Sequence, residues 1–327
     1  MAELVGVFGT SHSPVLLADR DDWPNLEPKT DLPVLDTLVG QVRSRWPEHE
    51  ARYRAATSEL RQRLLAVEPD VLIIVGSDQR ENFGAAGAPV FDVFLGPTLA
   101  SSAGNRRTEG VDTHPVANPV PVSFGREVVE GLCDLGFDIS HSTTPIHPYG
   151  IGHAVSWPLR FLDLPGDLPV LPVITNVWDP PNVPRVARCA ALGHALRRVV
   201  EAASAPHRVA VLASGGLSHL VLDEELDARV LEALRSCDVD RWASVSDDEL
   251  RLAHELHGLP IELNGTAEIT DWVIADACAN TGADIIDYVP AYRTETGIGV
   301  GMCFASWPVD ADQTHRTDDG DARDRDV

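Results

Sequence analysis

No apolar run in this 327-residue chain reaches the ~20 residues that a membrane-spanning helix requires. The first residues enter a strand-like run directly, without the basic segment and apolar stretch of a secretory leader. The five cysteines (Cys133, Cys189, Cys237, Cys278 and Cys303) are odd in number, widely spaced and without a CxxC pair. That pattern speaks against a disulfide framework and fits small core residues. Basic residues are scarce too: 26 Lys and Arg against 50 Asp and Glu leave a formal net charge of −24. Such a surface repels nucleic acid and anionic membrane. Together these absences predict a cytoplasmic protein with neither nucleic acid nor membrane as a partner.

What is present suits a packed globular protein: 44% hydrophobic and 23% charged residues, on a chain long enough for a substantial core. Short β-branched runs alternate with helical patterns, which predicts an α/β fold. The expected form is a single large domain with a mostly parallel or mixed central sheet flanked by helices, over residues 1–307. Residues 308–327 are an acidic tail, with Asp310, Asp312, Asp318, Asp319, Asp321, Asp324 and Asp326, and are expected to be disordered. Helices are predicted over Val34–Val67 with a break near Pro47, and over Ser123–Leu135, Trp157–Phe161, Val183–Ala203, Glu224–Leu234, Asp247–His257 and Thr266–Asn280. Beyond the runs described next, strands are predicted over Val90–Leu95, Phe137–Ser142, Pro169–Thr175 and Gly297–Ser306.

Three apolar runs end alike. Leu4–Phe8 leads into Gly9-Thr10-Ser11-His12, Val71–Val75 into Gly76-Ser77-Asp78-Gln79, and Val209–Leu212 into Ala213-Ser214-Gly215-Gly216-Leu217-Ser218-His219. Read as buried parallel strands, they deliver His12, Asp78, Gln79 and His219 to the carboxyl edge of one sheet, where open α/β sheets bind ligands. Each of these side chains alone has a plainer reading as a satisfied strand-end residue. The same holds for His153 and His147 in a Gly- and Pro-rich loop, and for Glu268, whose carboxylate would suit the first turn of a helix. His254 and His257, three apart, lack HExxH spacing and read as surface residues.

In combination the motifs resemble the class III extradiol dioxygenases, the family of the protocatechuate 4,5-dioxygenase catalytic subunit and the 2,3-dihydroxyphenylpropionate 1,2-dioxygenases. Ser11-His12-Ser13-Pro14 resembles the segment of the first iron ligand, and Gly215–His219 that of an acid/base histidine. Gly152-His153-Ala154 resembles a loop that normally reads Asp-His-Gly and supplies a second catalytic histidine. Gly265–Trp272 resembles the helix start that carries a glutamate ligand, here Glu268.

The resemblance implies a non-haem Fe(II) enzyme that cleaves a catechol-type ring with O2 as co-substrate. His219 and His153 would be catalytic, Asp78 and Ser218 would support the site or touch substrate, and the assembly would be a homo-oligomer. One departure stands out. The family usually has Asp-His after the second strand, and here the residues are Asp78-Gln79, so the implied metal ligands become His12, Gln79 and Glu268. An amide oxygen is a weaker and harder donor than imidazole. Gly152 in place of aspartate also implies that His153 lacks its usual carboxylate partner. Two other readings stay open: a metal enzyme of the same fold with hydrolytic or lyase chemistry, and a metal-free binding relative. Arg106, Arg107 and Arg293 could receive a substrate carboxylate, while Phe83, Tyr149 and Trp157 could line an aromatic pocket.

Overall fold

Every residue of the strand Val71–Asp78 is buried, so both faces of the sheet around it are covered. The computed structural model describes residues 1–26, 33–84, 87–100, 116–145, 150–177, 179, 181–205, 207–238, 240–251, 255–256, 259–260 and 265–309. In chain order its elements are β1 (Glu3–Thr10), α1 (Val42–Ala66), β2 (Val71–Asp78), β3 (Phe91–Phe94), α2 (Val122–Asp134), β4 (Ser140–Ser142), α3 (His153–Phe161), β5 (Val170–Asn176), α4 (Val186–Ala202), β6 (Arg208–Ser214), β7 (His219–Val221), α5 (Glu224–Arg235), α6 (Asp247–Arg251), β8 (Glu255–Leu256), β9 (Leu259–Pro260), α7 (Ile269–Ala279), β10 (Asp284–Tyr292) and β11 (Ile298–Trp307).

Among the described residues nine strands form one mixed sheet, in the order β10-β11-β1-β6-β2-β5-β3-β4, with β7 paired to β11. The central four, β1, β6, β2 and β5, are mutually parallel. Antiparallel pairings join β11 to β1 on one side and β3 to β5 on the other. The fold is therefore the predicted single α/β domain. α7 is buried along its whole length and packs across β1, β6 and β2, with α4 against it. Trp272 of α7 is fully buried, and its indole N–H donates to the Gly215 carbonyl at 2.9 Å. That bond ties the helix to the turn after β6.

Four local expectations need correction. Helix α1 runs unbroken through Pro47 and begins only at Val42, after a stretch of turns. Pro47 lies in its second turn, where the missing N–H forfeits a single helical bond, and Trp46, His49, Tyr53, Leu60 and Leu64 pack on both sides of it. The strand expected from Phe137 begins only at Ser140. Gly136 N–H donates to the Cys133 carbonyl and Phe137 N–H to the Leu132 carbonyl, so these residues close the end of α2 instead.

The helix expected over Asp247–His257 ends at Arg251, and Glu255–Leu256 pairs antiparallel with Leu259–Pro260. Gly258 and Pro260 are poor helix continuers. Finally, β10 went unpredicted because Asp284, Asp287 and Pro290 interrupt its apolar pattern. Among the described residues it pairs only with β11, at the sheet's edge, where a proline without a ladder donor is tolerated. The expected tail from residue 310 lies outside the described residues, as do Arg106, Arg107, His147, Tyr149, His254 and His257. Among the described residues no helix is long and apolar enough to cross a membrane.

Candidate metal centre

The parallel core determines where the polar side chains emerge. Thr10 and Gly76 both lie in register with Ser214 on β6, so the chain leaves β1, β2 and β6 at one edge of the sheet. His12 and Gln79 follow directly after β1 and β2. His219 opens β7 a few residues beyond β6, opposite Val300. Glu268 reaches the same place from elsewhere, at the end of a short 3-10 turn, Gly265–Glu268, that leads into α7. His153 is the first residue of α3.

Glu268 is the hub. It is fully buried, yet its Oε2 lies 3.2 Å from His12 Nε2 and accepts the Gly216 N–H at 3.0 Å. Its Oε1 lies 3.3 Å from His219 Nε2 and receives the side-chain amide of Gln79. Burial opposes its charge, but the neighbouring His219 and His12 hold the carboxyl well below the usual carboxylate range. For His219 burial again opposes the charge, and Glu268 outweighs it, so the imidazole pKa moves up. His219 Nδ1 donates to the Leu217 carbonyl at 3.2 Å, which aims Nε2 at the carboxylate. Burial depresses the pKa of His12, more strongly than Glu268 raises it. Gly265 packs directly on the His219 ring, where an added Cβ would overlap Nε2, Cδ2 and Cε1.

These residues fit a divalent cation. His12 Nε2 is buried, faces the Glu268 carboxylate and makes no aligned hydrogen bond to it, so a cation between them would meet a nitrogen and an oxygen already turned toward it. Neighbouring ligands about 2.1 Å from one ion stand roughly 3 Å apart, close to the 3.2 Å between His12 Nε2 and Glu268 Oε2. Rotating the Gln79 amide by half a turn would set its oxygen against the carboxylate, an arrangement that a cation between them would favour. Among the described residues no three His, Cys, Asp or Glu side chains form a metal-holding group. The set assembled here differs from such a group by having an amide as its third donor.

Asp78 and Ser218 stand further back. Asp78 accepts the backbone N–H groups of Glu81 (3.1 Å), Asn82 (2.7 Å) and Phe83 (3.3 Å), and the Asn82 side-chain amide at 3.0 Å. It thus closes the turn after Gln79, although burial pushes its pKa up. Ser218 N–H donates to Asp227 at 2.7 Å, and its hydroxyl accepts from Asp223 N–H at 2.8 Å, so it anchors the His219 loop to the start of α5.

His153 packs edge-on against the His12 ring at 4.7 Å and beside Trp157 at 4.5 Å. The usual partner is absent at Gly152, but a different carboxylate takes its place. Glu81 Oε2 lies 2.6 Å from its Nδ1 and 2.7 Å from its backbone nitrogen. Nothing in the sequence flagged Glu81, which stands two residues after Gln79 and 72 before His153. Asp271, in the first turn of α7, is fully buried, accepts from Thr175 Oγ1 at 2.6 Å, and burial pushes its pKa well above the carboxylate range. Phe83 is buried beside the Asp78 turn.

The carboxyl edge of this mixed α/β sheet thus gathers a histidine, an amide and a buried glutamate, with two further histidines against them. Residues 6–302 match the family described as the catalytic LigB subunit of aromatic ring-opening dioxygenase, and the chain belongs to that family. It is 30% identical over 196 residues to the 2,3-dihydroxyphenylpropionate/2,3-dihydroxicinnamic acid 1,2-dioxygenase of Escherichia coli K12, a match over 58% of this chain and 57% of that one. The enzyme of the same name from Klebsiella pneumoniae is 30% identical over 168 residues, covering 50% of this chain and 47% of the relative. The one from Comamonas testosteroni is 28% identical over 155 residues, 46% and 43% respectively. The chain therefore spans about half the length of the relatives it matches. A crystal structure of the uncharacterized protein JW3007 from Escherichia coli K12 shares the fold, with a TM-score of 0.51, 12% identity, and coverage of 93% of this chain and 99% of the other.

Proposed function

We propose that this protein is a non-haem Fe(II)-dependent extradiol dioxygenase that opens a catechol-type ring with O2, with His12, Gln79 and Glu268 holding the iron. The observation that carries the reading is the convergence of His12, Gln79 and His219 on the buried Glu268, with His153 packed against His12. Iron in that position would let a chelating catechol and O2 exchange electron density in one coordination sphere.

The rest is the work of side chains. Glu268 supplies the negative charge that a cation needs inside a site where His12, Gln79 and Glu268 are all buried from water. While its carboxylate faces His219 directly, it favours the protonated imidazole. Once that charge is committed to a cation its grip on the imidazole weakens, and His219 Nε2 can accept the proton of a substrate hydroxyl. His153, on the His12 side, would exchange a proton with substrate through Nε2. Asp78 holds the turn that carries Gln79, and Ser218 holds the loop that carries His219. The dihydroxyphenylpropionate in the names of the relatives makes that compound a reasonable first probe beside catechol itself.

Gln79 favours one competing reading. A neutral amide ligand suits a harder, non-redox ion, with which the same site would polarise a carbonyl or activate water. Dependence on O2 separates the two. Anaerobically purified protein reloaded with Fe(II) should consume O2 only when catechol or 2,3-dihydroxyphenylpropionate is added. Absence of substrate-dependent uptake across a broad catechol panel would overturn the dioxygenase reading.

A further inference from the structure

We propose that Glu81 is the positioning residue of His153: its carboxylate fixes the ring's orientation and its Nδ1–H tautomer. Nε2 is then the nitrogen that exchanges a proton with substrate. That last step rests on the ring-opening reading above, whereas the tautomer does not.

An ionised carboxylate can only accept hydrogen bonds. With Glu81 Oε2 at 2.6 Å from Nδ1 and 2.7 Å from the backbone nitrogen of His153, the ring hydrogen belongs on Nδ1. The histidine side chain is 6% exposed and the glutamate 19%, so water competes little for either bond. The clamp is built from two consecutive residues on each side. Asn82 accepts the Gly152 N–H at 2.8 Å while Glu81 takes His153, and Gly152 offers no side-chain cap of its own to α3.

Glu81 is itself held in place, because Asp78 accepts the backbone N–H groups of residues 81, 82 and 83. The turn that begins at Gln79 therefore also fixes the histidine across the site. Gly152 makes room for this arrangement: a Cβ there would sit 2.8 Å from both Glu81 Oε2 and Asn82 Nδ2. A negative charge at the start of α3 also complements the helix dipole. Helix capping alone would account for the backbone bond, but not for the second bond to the ring.

The test separates capping from positioning. In long-range nitrogen-15 NMR spectra of the wild-type protein at alkaline pH, His153 should carry its hydrogen on Nδ1, and Glu81→Ala should lose that single-tautomer signature. With catechol as substrate, Glu81→Ala should lower kcat on the order of 10–100-fold, the range for losing an outer group that orients an active-site histidine, with KM nearly unchanged. Glu81→Gln, whose amide oxygen can accept both bonds, should recover most of kcat and the tautomer. A wild-type His153 protonated on Nε2, or a Glu81→Ala variant with unaltered tautomer and kcat, would overturn the proposal. If Glu81→Ala does not fold, the wild-type spectrum and Glu81→Gln still decide it. If wild-type protein turns over no catechol, the ring-opening reading fails while the spectra still judge Glu81.

Discussion

Replacing Gly265 by alanine tests whether the position of His219 matters to catalysis apart from the metal. The added Cβ would overlap three atoms of the His219 ring. Restoring ordinary contact requires the ring to withdraw by roughly 1.5 Å. His219 Nε2 starts 3.3 Å from Glu268 Oε1, and Nδ1 is held by the Leu217 carbonyl, so a withdrawal of that size breaks one contact or both. Misplacing a reacting group by about 1 Å can lower a rate about 100-fold, and overpacking a buried site costs about 1–3 kcal/mol. Gly265→Ala should therefore lower kcat for catechol about 100-fold and Tm by roughly 2–8 °C. Fe(II) affinity should fall much less, because His219 is not among the proposed ligands. Steady-state oxygen-electrode kinetics, differential scanning calorimetry and anaerobic Fe(II) titration read the three quantities. An unchanged kcat, or a loss of Fe(II) affinity in step with kcat, would refute the reasoning.

Gln79→His exchanges the amide for a stronger donor and should raise Fe(II) affinity at least ~10-fold; an unchanged affinity in anaerobic titration would remove Gln79 from the ligand set. Trp272→Phe deletes the indole donor to Gly215 and leaves a void in a fully buried site. It should destabilise the fold by about 2–4 kcal/mol in urea unfolding, and a change below about 0.5 kcal/mol would contradict that account. Asp227 is buried behind the His219 loop, which lifts its pKa to about 7. A carboxyl raised this far above its unfolded value makes the folded state bind the extra proton, so its contribution to wild-type stability falls as pH rises from about 4 to about 7. Asp227→Asn does not titrate, so the stability gap should shift in its favour by up to about 4 kcal/mol over that window. A gap independent of pH would show that Asp227 ionises normally.

Much of the site was legible because strand ends advertise themselves. β1, β2 and β6 are uniform apolar runs closed by Gly and Ser, and the parallel pairing that brings their ends together follows from how such runs pack. Glu268 was harder. Its carboxylate at the start of a helix has an ordinary electrostatic reading, and only the motif around it suggested more. Glu81 was illegible because its role comes from a turn held by Asp78 and from the entry angle of α3, neither of which leaves a periodic pattern. Asp271, in the first turn of α7, has the same ordinary electrostatic reading, whereas the helix is buried on every side. The edge strand β10 was hidden by Pro290 and two aspartates that a central strand would not accept, and an edge position makes that penalty small.

The most direct test of the central claim is isotopic. Fe(II)-loaded protein is incubated with catechol under labelled O2, the reaction is quenched early, and the ring-opened product is weighed by mass spectrometry. The account predicts that both atoms of one O2 enter the product, and that His12→Ala and Glu268→Gln yield none of it. Ring-opened product carrying no oxygen from O2, or product formed equally well without O2, would contradict it.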